Sequence, residues 1–454
     1  MSTTTVSSGA EQLIARDREL LIHPYLPGSV AERVVMTEGS GCRLRDVEGR
    51  EYLDATGGLW LAQIGHGRSE MAEVAAEQMQ RLEYFTSFWE FTNDRAIELA
   101  ERLVELAPAP LDHVYLTSGG SEANEAAIRM ARYFHYRRGQ RGRDWILARR
   151  NAYHGIGYGS GSASGLPIYH EGFAPLLPHV QHLTPPWPYR AELFDGRDAT
   201  DFCLDELERT IEEIGAEHIA AMIGEPIMGV GGMIVPGDDY WPRVRELLSR
   251  HGILLIFDEV VTGFGRTGSW FAAQHFGVDP DLMVTAKGIT SGYVPLGAVL
   301  VSGEVAQELA RDHGFPVGFT YYGHPTACAV ALKNLEIIER EGLLERARDT
   351  GAFLLRELSG LQELPVVGEV RGVGMMHGVE LVSDKQTREP ISMHCAPHDV
   401  IRRETGVLVR DCAHTLVLSP PLVLTREDAL HVVAAVRSVL ERMAPDGTIA
   451  GSPA

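Results

Sequence analysis

Ile253-Leu-Leu-Ile-Phe257 runs straight into Asp258-Glu259, and Leu282-Met-Val284 runs into Thr285-Ala286-Lys287-Gly288. Both runs are short, apolar and non-alternating, the pattern of strands buried on both faces. Val114-Tyr-Leu116, Ile219-Ala-Ala-Met-Ile223 and Ala298-Val-Leu-Val301 repeat it. Helical stretches lie between these runs, one reaching Arg138 and one over Trp241–Arg250. Such alternation predicts an α/β fold, a mostly parallel sheet flanked by helices. Ligands bind such sheets beyond the carboxyl ends of the strands, so the residues just after each run matter most.

Those residues are chemically distinctive. The first run leads into Thr117-Ser-Gly119-Gly120-Ser121-Glu and a good helix. Free N–H groups at that helix start form an anion site suited to phosphate, although the turn also reads as an ordinary Ser-capped helix. The second is followed by Gly224-Glu225-Pro226, the third by Asp258. The fourth ends at Lys287, and the chain otherwise avoids lysine: among 41 Lys and Arg residues only Lys287, Lys333 and Lys385 are lysines. An amine can lose its proton and attack a carbonyl, whereas a guanidinium stays charged. A phosphate cradle, an acid and an amine on one edge suit pyridoxal 5'-phosphate (PLP). The amine forms a Schiff base, the acid keeps the pyridine nitrogen protonated, and the helix start holds the phosphate. Asn151-Ala-Tyr153-His154-Gly supplies an aromatic to stack on the ring.

Around this edge the chain divides into three expected parts. Residues 1–66 form an N-terminal segment contributing to a small domain, with a hairpin in Cys42–Asp54. Residues 67–325 form the large cofactor-binding domain, and 326–454 a C-terminal small α+β domain, strongly helical to about 358 and again over about 425–443. Residues 1–10 and 446–454 read as loose tails, and Gly155–Gly165 as a close-approach loop. The net charge of −21 argues against nucleic-acid binding, which needs a basic face. Five scattered cysteines without a CxxC pair indicate neither zinc nor a disulfide framework, and buried reduced thiols are expected. No leader pattern or apolar span appears, which points to a cytoplasmic protein away from membranes.

Over roughly residues 30–440 the pattern resembles the class III aminotransferases of the fold-type I PLP enzymes. The most specific stretch is Leu255-Ile-Phe-Asp258-Glu-Val-Val-Thr-Gly-Phe-Gly-Arg-Thr-Gly268, then Pro280-Asp-Leu-Met-Val-Thr-Ala-Lys287-Gly, with Asp258 and Lys287 29 positions apart. The resemblance implies that Lys287 bonds the cofactor and that Asp258 partners its pyridine nitrogen. It assigns Gly120 and Ser121, with Gly119 beside them, to the phosphate turn, and Tyr153, with His154 beside it, and Val260 to the ring faces. Glu225 is the supporting acid. Thr320, in Phe319-Thr-Tyr-Tyr-Gly-His-Pro325, resembles a threonine reaching the phosphate of the neighbouring subunit, which implies a homodimer, or a dimer of dimers, with active sites at the interface. The chain departs from the family at Ser-Gly-Gly-Ser-Glu, where Ser-Gly-Ser-Glu is commoner; this leaves open which hydroxyls touch phosphate.

Within the class the likeness is to ω-amino acid and amine:pyruvate transaminases. Asp54-Ala-Thr-Gly-Gly-Leu-Trp60 and Phe85-Thr-Ser-Phe88-Trp89 stand where those enzymes line the substrate pocket, with Tyr153. Val409-Arg410-Asp resembles the segment whose mobile arginine binds a substrate carboxylate. The expected activity is transfer of an amino group from an ω-amino acid or amine to a keto acid, pyruvate first. A same-family aminomutase or decarboxylase is the alternative, and a nucleotide-binding α/β protein without PLP the alternative of another class.

Overall fold

The computed structural model describes residues 9–27, 30 and 32–451. Its centre is a seven-stranded sheet. The strands stand in the order Leu111–Thr117, Gly297–Ser302, Leu282–Thr285, Leu254–Asp258, Ile219–Gly224, Trp145–Arg149, Val180–Leu183. The last five pair in parallel, while Gly297–Ser302 runs antiparallel to both its neighbours. Every residue of Ile219–Gly224, Leu254–Asp258, Leu282–Thr285 and Gly297–Ser302 is buried, as the unbroken apolar runs require. Helix Gly120–Arg137 covers one face with Ala123, Ala127, Ile128, Ala131 and Phe134. Trp145–Arg149 and Val180–Leu183 are strands beyond the five runs that the sequence suggests. Both are short, and Val180-Gln-His-Leu lies at the sheet's polar edge.

Two further sheets flank this one. Arg43–Asp46 and Glu51–Asp54 form the expected hairpin, extended by Met36–Ser40. Val407–Leu408 joins it in parallel with Leu53–Asp54, so the two ends of the chain share a sheet. An antiparallel sheet follows, in the order Val367–Val373, Met376–Asp384, Thr415–Leu418, Arg410–Cys412.

Several element bounds differ from those expected. Two helices, Ser69–Leu82 and Asp94–Leu106, precede the central sheet, and the stretch expected to be helical to about 358 is Pro325–Arg340 and Leu343–Ser359, separated at Gly342 in a left-handed conformation. Residues 9 and 10, expected in a tail, open helix Gly9–Leu20, while residues 1–8 and 452–454 lie outside the described residues. The Gly/Ser-rich loop contains a short helix, Tyr158–Ala163. Close approach holds there nonetheless: a β-carbon on Gly159 would lie 2.5 Å from a Glu125 oxygen. Cys42, Cys203, Cys328 and Cys412 are buried free thiols and Cys395 is partly exposed. No described helix is long and apolar enough to cross a membrane.

Candidate active site

The parallel strands end at one cavity of about 380 Å³. One wall is the turn from Thr117 into helix Gly120–Arg137. No side chain caps this helix, and its first intrahelical bond is Ala123 N–H to Gly119 O, 3.0 Å. The amides of Gly120, Ser121 and Glu122 therefore precede the helical ladder, with the positive end of the helix dipole behind them. Glycine is needed across from this turn. Gly155 has φ +129°, and a β-carbon there would sit 2.6 Å from Ser121 Oγ.

Strand Leu254–Asp258 places its last residue at the cavity. Asp258 Oδ2 accepts from His154 Nδ1 at 2.7 Å and Asn124 Nδ2 at 2.8 Å, and Oδ1 from Val260 N–H at 3.1 Å. The next residue points away. Glu259 accepts the Ala272 and Ala273 amides at 2.9 and 2.6 Å, anchoring the start of helix Ala272–Phe276, and burial pushes its pKa up to about 7. Thus of two adjacent acids, one lines the cavity and the other is structural. Glu225 holds Tyr153 N–H at 3.0 Å and Gly229 N–H at 2.8 Å, and burial raises its pKa.

Lys287 follows strand Leu282–Thr285 and faces this acid. Its φ of +47° is unusual for a side-chain-bearing residue and marks a strained turn. Buried Asn334 pins that turn: its Nδ2 donates to Gly288 O at 2.8 Å and Ile289 O at 3.0 Å, and its Oδ1 accepts from Ser291 Oγ at 2.6 Å. The residue keeps some exposure through the cavity, but desolvation of the amine lowers its pKa to about 8 against the pull of Asp258 and Glu225, with Arg410 and Arg266 adding repulsion.

Gly119, Gly120, Ser121, Tyr153, His154, Glu225, Asp258, Val260 and Lys287 thus line one cavity. Trp60 and Arg410 adjoin it. Lys287 Nζ lies 5.5 Å and Arg410 Cζ 5.4 Å from the Trp60 ring centre. Phe88 and Thr320 lie outside it within a single chain. Phe88 packs on Trp89, ring centres 5.8 Å apart, and Thr320 is exposed, its carbonyl accepting Tyr84 Oη at 2.6 Å. Asn124, which holds Asp258, is not among the residues that the sequence singles out. It lies one helical turn beyond Gly120 on the same face, so helix spacing points to it.

The class-III aminotransferase family model matches residues 26–440. The chain belongs to the class III aminotransferases. It is 38% identical over 421 residues to the putrescine–pyruvate aminotransferase of Pseudomonas aeruginosa, covering 90% of this chain and 91% of that one. An (S)-enantioselective omega-transaminase from Thermomicrobium roseum superposes with a TM-score of 0.91 at 47% identity, covering 95% of this chain and 98% of that one. An amine transaminase from an uncultivated Pseudomonas species, described as PLP-bound, gives 0.89 at 42% identity over 92% and 97%. The aminotransferase is therefore a fold-type I, PLP-dependent enzyme, and the nucleotide-binding alternative without PLP falls.

Its residues fit that cofactor. The uncapped helix start supplies amides for a phosphate, and Asp258 Oδ1 keeps acceptor capacity for a ring N–H. His154 Nε2 and Asn124 Oδ1 are buried and have no partner among the described residues, as a site built around a further polar group leaves them.

Proposed function

We propose that the aminotransferase moves the amino group of an apolar amine, a diamine or an ω-amino acid to a small keto acid, with pyruvate as acceptor. The net reaction is amine plus pyruvate to carbonyl compound plus alanine. The observation that carries this reading is Arg410. It has no ion pair or side-chain hydrogen bond among the described residues, yet it stands against the same tryptophan as Lys287. An unpaired guanidinium there suits bidentate recognition of a carboxylate. The neighbouring surfaces of Leu59, Val261 and Tyr153 suit the carbon chain of an amine. The names of the P. aeruginosa and T. roseum relatives support the same substrate pair.

Bound PLP supplies an electron sink for the bond broken at the amino-bearing carbon. The protein's own groups do the rest. Lys287 Nζ, neutral above about pH 8, holds the cofactor and carries a proton to and from the substrate carbon. Asp258 would accept the ring N–H, its carboxylate fixed by His154 and Asn124. The Gly119–Ser121 turn would hold the phosphate, and Tyr153 and Val260 would hold the ring. Glu225 orients Tyr153 through its backbone amide. Arg410 turns toward the carboxylate of the keto acid and away from an apolar amine.

The site also takes part in a homodimer on this reading. Leu59, Phe85, Trp89, Ile156 and Tyr321 are exposed, Trp89 to 85%, a cost in water that a second copy removes. Thr320 then reaches the phosphate held by the partner, and the loop carrying Phe88 joins the partner's pocket. A panel of amines with pyruvate, read as alanine formed, tests the substrate assignment. Alanine from the amines and none from α-amino acids alone is the expected result, and no alanine from any amine sinks it. Borohydride reduction followed by peptide mapping tests the cofactor bond, which must fall on Lys287.

A further inference from the structure

The residue row that carries Arg410 crosses the whole antiparallel sheet. Arg371 pairs with Gly378, Gly378 with Val417, and Val417 with Arg410. The next row is Glu380, Thr415 and Cys412. Residues paired across strands, and those two apart along a strand, share a face, so Arg410, Arg371, Glu380 and Thr415 belong to one side of the sheet.

That side holds a buried charge cluster. Glu380 is fully buried and all its acceptor capacity is used. Oε1 accepts Arg190 Nη2 at 2.6 Å and faces His414 Nε2 at 3.0 Å, while Oε2 accepts Arg371 Nη2 and Thr415 Oγ1 at 2.7 and 2.8 Å. Trp187 packs against both cations, with Arg190 Cζ 5.3 Å and Arg371 Cζ 5.1 Å from its ring centre. Thr415 and His414 belong to the turn and second strand of the hairpin whose first strand is Arg410–Cys412.

The cluster also reaches back to the cofactor crevice. Arg371 Nε donates to Gly232 O and Met233 O at 3.1 and 3.0 Å. The same loop begins at Gly229, whose amide is held by Glu225. Gly378 permits the approach, since a β-carbon there would lie 3.1 Å from Gly232 O. A continuous path of buried polar contacts runs from Glu225 through Gly229–Met233, Arg371 and Glu380 to the Arg410 hairpin.

We infer that Glu380 and Arg371 are positioning residues for acceptor recognition: they lock the hairpin of Arg410 to the loop anchored on Glu225, and so set where the guanidinium meets the keto-acid carboxylate. The inference rests on Arg410 binding that carboxylate. A buried anion satisfied by four donors is rigid, and losing it removes the one acid that Arg190 and Arg371 share, leaving Arg371 to Glu369 at 2.7 Å and Arg190 to Glu192 at 3.6 Å, each on its own side. The hairpin then shifts, while groups acting on the amine carbon stay on the central sheet.

The test uses the holoenzyme with Glu380→Gln, the milder Thr415→Val, and Arg410→Ala as reference. The KM for pyruvate rises about tenfold in Glu380→Gln and a few-fold in Thr415→Val, as small misplacements of a positioning group do. The single-turnover rate with a monoamine lacking a carboxylate, followed by cofactor absorbance, stays within about twofold in both. Hydrogen exchange of the 407–418 amides quickens in both variants. If Arg410→Ala raises the pyruvate KM but neither other variant does, or if both half-reactions slow alike, the inference is overturned. An unchanged KM in Arg410→Ala sinks the carboxylate reading itself and this inference with it. Thr415→Val keeps the question answerable if Glu380→Gln fails to fold.

Discussion

At the residue scale the decisive fact is an amine that gives up its proton far more readily than a solvated lysine. Burial lowers the pKa of Lys287 to about 8, so its neutral form grows as pH rises through that value and dominates above it. In cofactor-free protein, acylation of Lys287 by a small amine-reactive ester, followed by peptide mass spectrometry, should climb through about pH 8 and level off. A rise centred near the ordinary lysine value would show that the amine is solvated. Lys287→Ala should cut turnover by about 10³-fold or more, since it removes nucleophile and proton carrier together. Gly155 supplies a second residue-level outcome. Its φ is +129°, and a β-carbon would stand 2.6 Å from Ser121 Oγ. Gly155→Ala therefore displaces the phosphate turn, and fluorescence titration should show PLP affinity weakened by about tenfold or more.

At the element scale, strand ends supply the chemistry and helices hold it in place. Asn334, one residue from a surface lysine on helix Pro325–Arg340, fixes the turn of Lys287 through three hydrogen bonds. Asn334→Ala takes the side-chain donor from two buried carbonyls, leaving Gly288 O only the long bond from the Ser291 amide at 3.4 Å, and urea unfolding should show a loss of about 2–4 kcal/mol. An unchanged midpoint would mean that the turn holds itself. The elements differ in how clearly they are written in the sequence. The Ile219–Ile223, Ile253–Phe257 and Leu282–Val284 runs are legible because strands covered on both faces need nothing but apolar residues. Val180–Leu183 is not, because this edge strand carries Gln181 exposed and His182 half-buried against the Ser164 carbonyl, which breaks the apolar run. Lys287 and Asp258 could be read from their positions after apolar runs. Asn334 could not, since nothing local in Leu332-Lys-Asn-Leu announces a side chain aimed at a turn far along the chain. Nor could the partnership of Arg371, Glu380 and Arg190, which depends on the register of two strands and a distant loop.

At the scale of the whole molecule, the cavity shares Leu59 with the set of exposed apolar side chains. Tyr84 links the 83–93 loop to Thr320, so the two segments form one surface, and in the proposed homodimer a second copy seated there would complete both sites. Sedimentation should give a dimer. Trp89→Asp, at a position 85% exposed in one chain, should shift the equilibrium toward monomer and lower PLP retention along with activity, while leaving secondary structure by circular dichroism unchanged. A Trp89→Asp protein that stays dimeric and fully active would remove this face from the interface.

The scarcity of lysine has a consequence for handling the protein. Lys333 is paired with Glu336, and Lys385 bonds the Gln362 carbonyl on an exposed turn. Aldehydes and activated esters therefore meet few competing side-chain amines. Borohydride after incubation with excess PLP should fix about one cofactor per chain, where a lysine-rich surface would carry many adducts. With the cofactor protecting Lys287, coupling to a solid support through side-chain amines would tether the enzyme by Lys385 or Lys333. Attachment would then be directional, with no engineered tag.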